Sequence, residues 1–290
     1  MDAGIAAAVE AAVGARVASA RPVSGGDINR AFAVALSDGR RLFVKSNDRA
    51  PAGMFAAEAK GLAWLDEAGA VRVPRVVAVG QAFLALELVI GAAASRNFDE
   101  RLGRGLAALH QFGAARFGLD HDNFIGRLPQ DNTAVAGDDT WAAFYRERRL
   151  EAQLRRAVDE GVASSRMRRG FERLFAAFDD DAAALLGPAE PPARLHGDLW
   201  GGNLLCDETG APCLCDPAVY GGHREIDLAM MRLFGGFAPP VFAAYDEAFP
   251  LAPGHQSRTA LYQLYPLMVH VNLFAGSYVN QVESLLDRLA

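Results

Sequence analysis

The sequence predicts an α+β chain of two lobes: a small antiparallel sheet with one main helix over residues 1–90, then a larger, mostly helical lobe over 91–290. Three observations carry this reading. Up to residue 90, apolar residues alternate along short runs separated by Gly- and Asp-bearing turns, which is the period of half-buried strands. Beyond residue 95 they recur at helical spacing over long stretches. Between the two lies Gly91-Ala92-Ala93-Ala94-Ser95, a connector of small residues that marks the lobe boundary.

Residues 2–13 are Ala-rich and read as a short helix. Strands follow at 16–23 and 30–37, joined through the turn Ser24-Gly25-Gly26-Asp27, and a third runs over 41–46. The Asp38-Gly39 pair makes 37–40 a hairpin turn. Pro51 opens a helix that runs to about Ala68 and is stopped by Gly69. Strands at 75–79 and 82–90, joined at Gly80-Gln81, complete the first lobe. In the second lobe helices are expected over 99–112, 140–159, 164–186, 226–234, 240–248 and 257–289. Among them lie a Gly/Asn/Asp-rich loop at 117–139 and a short β segment at 203–215.

The bulk numbers exclude several classes. A hydrophobic content of 51% with 22% charged residues describes a folded chain, not a disordered one. A net charge of -6 lacks the basic face that nucleic acid requires. The longest apolar run, 76–90, is interrupted by Gly80, Gln81 and Glu87, so no membrane span is expected. The first residues lack the positive flank of a signal peptide, and the expected location is cytoplasmic. Cys206, Cys213 and Cys215 lack C-x-x-C spacing and read as small apolar strand residues, not zinc ligands.

Four pieces of a phosphotransfer site occur in order. The first is Ser24-Gly25-Gly26-Asp27-Ile28-Asn29 between two strands, where Gly25 and Gly26 let backbone N–H groups approach phosphate oxygens. It matches no strict phosphate-loop pattern, and a plain hairpin has the same look. The second is Lys45, at the end of Leu42-Phe43-Val44, placed to reach phosphate, with Glu58 on the following helix as its carboxylate partner. The third is His196-Gly197-Asp198-Leu199-Trp200-Gly201-Gly202-Asn203, with the H-x-D-x-x-x-x-N spacing of a kinase catalytic loop. There Asp198 would accept the proton of an attacking hydroxyl and Asn203 would bind Mg2+ beside the same phosphoryl group. The fourth is Asp216, directly after a short apolar strand, in the place of a metal-binding Asp. Asp227, at the start of a helix, is expected to accept backbone N–H bonds from the catalytic loop in a structural role. It follows Asp216 by eleven positions, with no Ser, Thr or A-P-E motif between them. An activation segment is therefore missing, which points to a small-molecule acceptor instead of a polypeptide in extended form.

With these residues in place the chain resembles the fructosamine (ketosamine) 3-kinases, a branch of the aminoglycoside-phosphotransferase-like kinases with a protein-kinase-like fold. The resemblance spans nearly the whole chain. It rests on Val23–Ala31, Phe55–Leu62, Asp122–Gly126 and Phe144–Leu150, the Trp200-Gly201-Gly202 insert, the string from Asp216 to Leu228, and His270-Val271-Asn272-Leu273-Phe274. It implies ATP- and Mg2+-dependent phosphorylation of the C3 hydroxyl of a ketosamine, on a free amine or a glycated protein, in deglycation. It also implies that Glu87 lies where adenine meets the backbone, and that Trp200, His223, Arg224 and His270 are candidates for substrate contact. Two departures stand out. Asp27 replaces the Cys of some members, which removes a cysteine switch from that loop, and Gly222 stands where an aromatic is frequent, which predicts a looser substrate pocket. An aminoglycoside-, choline- or homoserine-type alcohol is the alternative acceptor. A catalytically dead binding protein with a kinase fold is the third reading, disfavoured by the full set Lys45, Glu58, Asp198, Asn203 and Asp216. Oligomeric state is not legible.

Overall fold

A computed structural model of the chain describes residues 1–23, 28–133 and 140–289. Helix α1 (Ala3–Val13) begins where the Asp2 carboxylate accepts from the Gly4 N–H at 2.8 Å, and it ends at Gly14 in the left-handed conformation. Strands β1 (Val17–Val23), β2 (Arg30–Leu36) and β3 (Arg41–Ser46) form a meander. Helix α2 (Met54–Asp66) crosses to β4 (Val76–Val79) and β5 (Phe83–Glu87). The sheet order is β1-β2-β3-β5-β4 and every pair is antiparallel. Strand β5 is covered on both faces, Leu84 and Leu86 clustering with Phe55 and Leu62 of α2 and Phe83 and Ala85 with Val9 of α1, which explains why Phe83-Leu84-Ala85-Leu86 is a continuous buried apolar run.

The second part holds α3 (Phe98–Phe112), a hairpin of β6 (Asn123–Ile125) and β7 (Leu128–Gln130), α4 (Trp141–Phe144), α5 (Ala152–Asp159) and α6 (Ser165–Leu186). It continues through β8 (Ala193–Leu195), β9 (Leu204–Cys206), β10 (Pro212–Leu214) and β11 (Tyr220–Gly222) to α7 (Glu225–Leu233), α8 (Pro239–Ala248), α9 (His255–Phe274) and α10 (Ser277–Leu289). Strands β8 and β11 pair, as do β9 and β10. Among the described residues no helix is long and apolar enough to cross a membrane. Cys213 is buried on β10, and Cys206 and Cys215 are half-buried free thiols.

Three expectations need correction. The helix expected over 140–159 is one continuous run, but Tyr145–Glu151 widens into π-helical turns between α4 and α5. That stretch carries the buried Arg149, whose guanidinium lies 3.9 Å from the Tyr220 ring centroid and donates to the Asp131 carbonyl at 2.8 Å. The single helix expected over 257–289 is two, broken at Ala275 and Gly276, both with positive φ. The loop at 117–139 contains the β6–β7 hairpin, locked by Asn123 donating to the Val219 carbonyl at 2.8 Å.

Candidate active site

The site is assembled from both parts of the chain. Lys45 lies near the end of β3 with its side chain buried, and its ammonium donates to Glu58 Oε1 on α2 at 2.6 Å. It makes an equally direct contact with Asp216 Oδ1. Burial alone would lower the Lys45 pKa, but the two carboxylates hold it above its usual range, so the lysine stays charged. Asp216 follows β10 with a positive φ of 55°, a conformation Asp tolerates better than most residues.

Strand β8 delivers the loop that begins at His196. Gly197 has φ 82°, and a Cβ there would stand 2.0 Å from the Ala218 carbonyl oxygen, so no other residue fits. The buried Asp227 on α7 receives the His196 N–H at 2.8 Å and the Gly197 N–H at 2.9 Å. Burial would raise the Asp227 pKa, but His110 and these donors hold it below the usual carboxylate range. His196 Nε2 lies 3.0 Å from the Cys215 carbonyl, which can only accept. The hydrogen therefore sits on Nε2, and Nδ1 accepts the Asp198 N–H at 3.3 Å.

Asn203 closes the loop back on itself. Its Nδ2 donates to the Asp198 carbonyl at 2.8 Å and to Asp198 Oδ2 at 3.2 Å, which leaves Oδ1 as the remaining acceptor of that side chain. The Trp200 ring lies over Gly202, where a Cβ would be 2.2 Å from it; this close packing accounts for the glycine of the Trp-Gly-Gly insert. Burial, and then the neighbouring Asp216 carboxylate, push Asp198 up to about 7.

That shift has a stability consequence in the metal-free protein. The unfolded carboxyl titrates at about 3.9, so the folded state binds the proton more tightly, and ionising Asp198 costs stability as pH rises from about 4 through 7. Asp198→Asn removes that cost. The variant is expected to melt higher than wild type at pH 8, with the gain shrinking toward nothing near pH 4; a gain independent of pH would refute this origin.

Lys45, Glu58, Asp198, Asn203 and Asp216 line one cleft of about 480 Å³. Ile28 and Asn29 form part of its edge, and Asn47 donates to the Ile28 carbonyl at 3.3 Å and to the Asn29 side chain at 3.1 Å. Gly25, Gly26 and Asp27 lie outside the described residues. The Glu87 carboxylate meets Arg72 at 3.3 Å and the Arg75 N–H at 3.2 Å and is not part of the cleft lining. Any nucleotide role for that position falls to its backbone.

Of the four acceptor-side candidates, Trp200 and His270 line the cleft. His223 and Arg224 do not. Both are buried: His223 stacks on Tyr262 at 5.2 Å, and Arg224 forms a bidentate pair with Glu190 at 2.8 Å. Their nearness to Asp216 in sequence is not nearness in space, because β11 carries the chain into the core. Gly222 is also misplaced by the sequence reading. It packs against Leu195 and Trp141, where an added Cβ would stand 2.6 Å and 3.2 Å from those side chains, and it does not border the cleft. The sequence reading missed His110 and Tyr245. His110 Nε2 lies 3.2 Å from Asp227 Oδ2 and its Nδ1 lies 2.8 Å from the Tyr245 hydroxyl, bracing the carboxylate that holds the loop.

The residue pattern has close relatives. The fructosamine kinase family model matches residues 1–290. A probable ketoamine kinase of Synechocystis is 40% identical over 280 residues, covering 94% of this chain and 90% of that protein. A chloroplastic protein-ribulosamine 3-kinase of Arabidopsis thaliana is 35% identical over 272 residues, covering 91% of this chain and 80% of the relative. A crystal structure from Thermobifida fusca, provisionally named a fructosamine-3-kinase, superposes with a TM-score of 0.88 at 41% identity over 98% of both chains. A lysine–glutamate pair, an H-x-D-x-x-x-x-N loop and a following aspartate meet in one cleft, and the match runs from the first residue to the last: the chain belongs to the fructosamine kinase family.

Proposed function

We propose that the protein transfers the γ-phosphoryl group of ATP to the C3 hydroxyl of a ketosamine, with residues 1–90 as the nucleotide lobe and 91–290 as the catalytic and acceptor lobe. The observation that carries this reading is the convergence of Lys45, Glu58, Asp198, Asn203 and Asp216 on one cleft. The donor set suits a hard divalent cation, since the Asp216 carboxylate and Asn203 Oδ1 are both oxygen ligands. Bound there, Mg2+ would neutralise charge on the transferring phosphoryl group.

The chain's own residues do the rest. Lys45, fixed by Glu58, presents its ammonium to the donor phosphates. Asp198 accepts the proton of the acceptor hydroxyl as its oxygen bonds to phosphorus and the bond to the leaving ADP oxygen breaks. Asn203 Nδ2 keeps the Asp198 carboxylate oriented throughout. Loss of the C1 proton of such an adduct gives an enaminol that expels the C3 phosphate, and water then hydrolyses the resulting C1=N bond to free the amine, so the reaction serves deglycation in the cytoplasm, where ATP and reducing sugars meet.

The test is a substrate panel. Lysine adducts of four-, five- and six-carbon sugars are compared with an aminoglycoside, choline and homoserine, reading ADP formation and the carbon that bears phosphate. Phosphate on C3 of at least one ketosamine is expected. Turnover restricted to the plain alcohols would overturn the reading in favour of another acceptor class.

A further inference from the structure

Apolar side chains exposed to water are concentrated at the mouth of the catalytic cleft. Six large hydrophobic residues stand out as exposed among the described residues, and three of them, Trp200, Phe234 and Phe274, line the cavity that holds Asp198. Phe234 and Phe274, with Tyr278, surround one imidazole. Ring centroids lie 4.6 Å from His270 to Phe234, 4.9 Å to Tyr278 and 5.6 Å to Phe274. The break at Ala275 and Gly276 makes this possible, because it turns α10 back so that Tyr278 faces the end of α9. Exposed apolar surface continuous with a reaction cleft marks a binding surface.

The imidazole at the centre is an acceptor. His270 Nδ1 lies 2.8 Å from the Pro266 carbonyl, which can only accept, so Nδ1 carries the hydrogen and Nε2 keeps its lone pair. Burial lowers the His270 pKa, which keeps the ring neutral. Among the described residues, the charged groups in the cavity lining are Lys45, Glu58, Asp198 and Asp216, and the one cation of these is already paired with two carboxylates. Aromatic faces, a nitrogen acceptor and a surplus of negative charge together favour a cation that has hydrogens to donate and an apolar substituent to bury.

We infer that Phe234, Phe274 and Tyr278, grouped around His270, recognise the protonated secondary amine of the acceptor and the alkyl chain attached to it, leaving the sugar to the part of the cleft nearer Asp198. This rests on the ketosamine reading and deepens it: the aromatic group selects the amine partner, not the sugar. It favours adducts of alkylamines. It disfavours adducts of α-amino acids, whose carboxylate beside the nitrogen would enter a negative, aromatic-lined space without a free cation among the described residues of its lining.

The test uses two acceptors that differ in one atom: the ketosamine of propylamine, and the neutral ether with oxygen in place of the amine nitrogen. In Phe274→Leu and Tyr278→Leu, which keep apolar bulk and lose the π face, KM for the amine is expected to rise about tenfold. KM for the ether and for ATP should stay within about twofold of wild type, and Phe274→Tyr should restore the amine value. Thermal melts verify folding, which Phe274, 48% exposed, should not threaten. An equal rise for amine and ether, no rise in the Phe274/Tyr278 double variant, or a wild-type preference for the glycine adduct would each overturn the inference. Failure of the wild type on every ketosamine would overturn the ketosamine reading and this inference with it. Activity on the amine and ether without selective loss in the variants overturns this inference alone.

Discussion

Asp198→Ala is expected to lower turnover by about 10²–10⁴-fold, the usual contribution of a positioned general base. The loss should fall on kcat with little change in KM for ATP, because the Asp198 carboxylate is held by Asn203 and does not contact Lys45 or Glu58. The fold should survive. The backbone of the loop is fixed independently, by Asp227 accepting the N–H groups of His196 and Gly197 and by the Asn203 contact to the Asp198 carbonyl. Steady-state kinetics with a saturating ketosamine reads the effect directly. A variant retaining more than about a tenth of wild-type kcat would remove Asp198 from the role of base.

Asp216→Ala should act on a different quantity. Its carboxylate touches Lys45 and stands at the open end of the Lys45–Glu58 pair. Removing it deletes one oxygen ligand of the proposed metal site, so Mg2+-dependent nucleotide affinity is expected to fall by at least about tenfold, or about 1.4 kcal/mol. Affinity measured without Mg2+ should change little. A second consequence is electrostatic: Asp216 is the neighbouring charge that raises Asp198 after burial itself, so in the variant Asp198 titrates lower. Isothermal calorimetry with and without Mg2+ tests the first consequence. A loss of equal size in both conditions would argue that Asp216 only positions Lys45.

Much of this architecture is legible in the sequence, for identifiable reasons. The spacing from His196 to Asn203 is short, and a loop that folds back on itself within eight residues brings its members together whatever the rest of the chain does. Lys45 is readable because its strand is apolar and a helix follows at once, which puts Glu58 within reach. The structural task expected of Asp227 is the one its geometry performs, since a carboxylate at the start of a helix behind the loop meets two backbone donors.

What escaped detection depends on long-range packing. His110 from α3 meets Asp227 and is itself held by Tyr245 from α8, contacts between helices that no local pattern encodes. His223 and Arg224 misled because a motif string invites the assumption that all its members share one surface. Here β11 pairs with β8 and buries them beside Glu190. The break after Phe274 has only Gly276 to announce it, beside a non-glycine residue, Ala275, with positive φ. The strands β6, β7, β8 and β11 are three residues each, too short for alternation to register.

The division of labour between Asp198 and Asp216 is most directly tested by measuring Mg-ATP affinity in Asp198→Ala and Asp216→Ala side by side, under one buffer and one Mg2+ concentration. Asp198→Ala should bind Mg-ATP within about threefold of wild type, whereas Asp216→Ala should bind it at least about tenfold more weakly. Equal affinities in the two variants, or the weaker binding in Asp198→Ala, would contradict the assignment of base and metal ligand in this cleft.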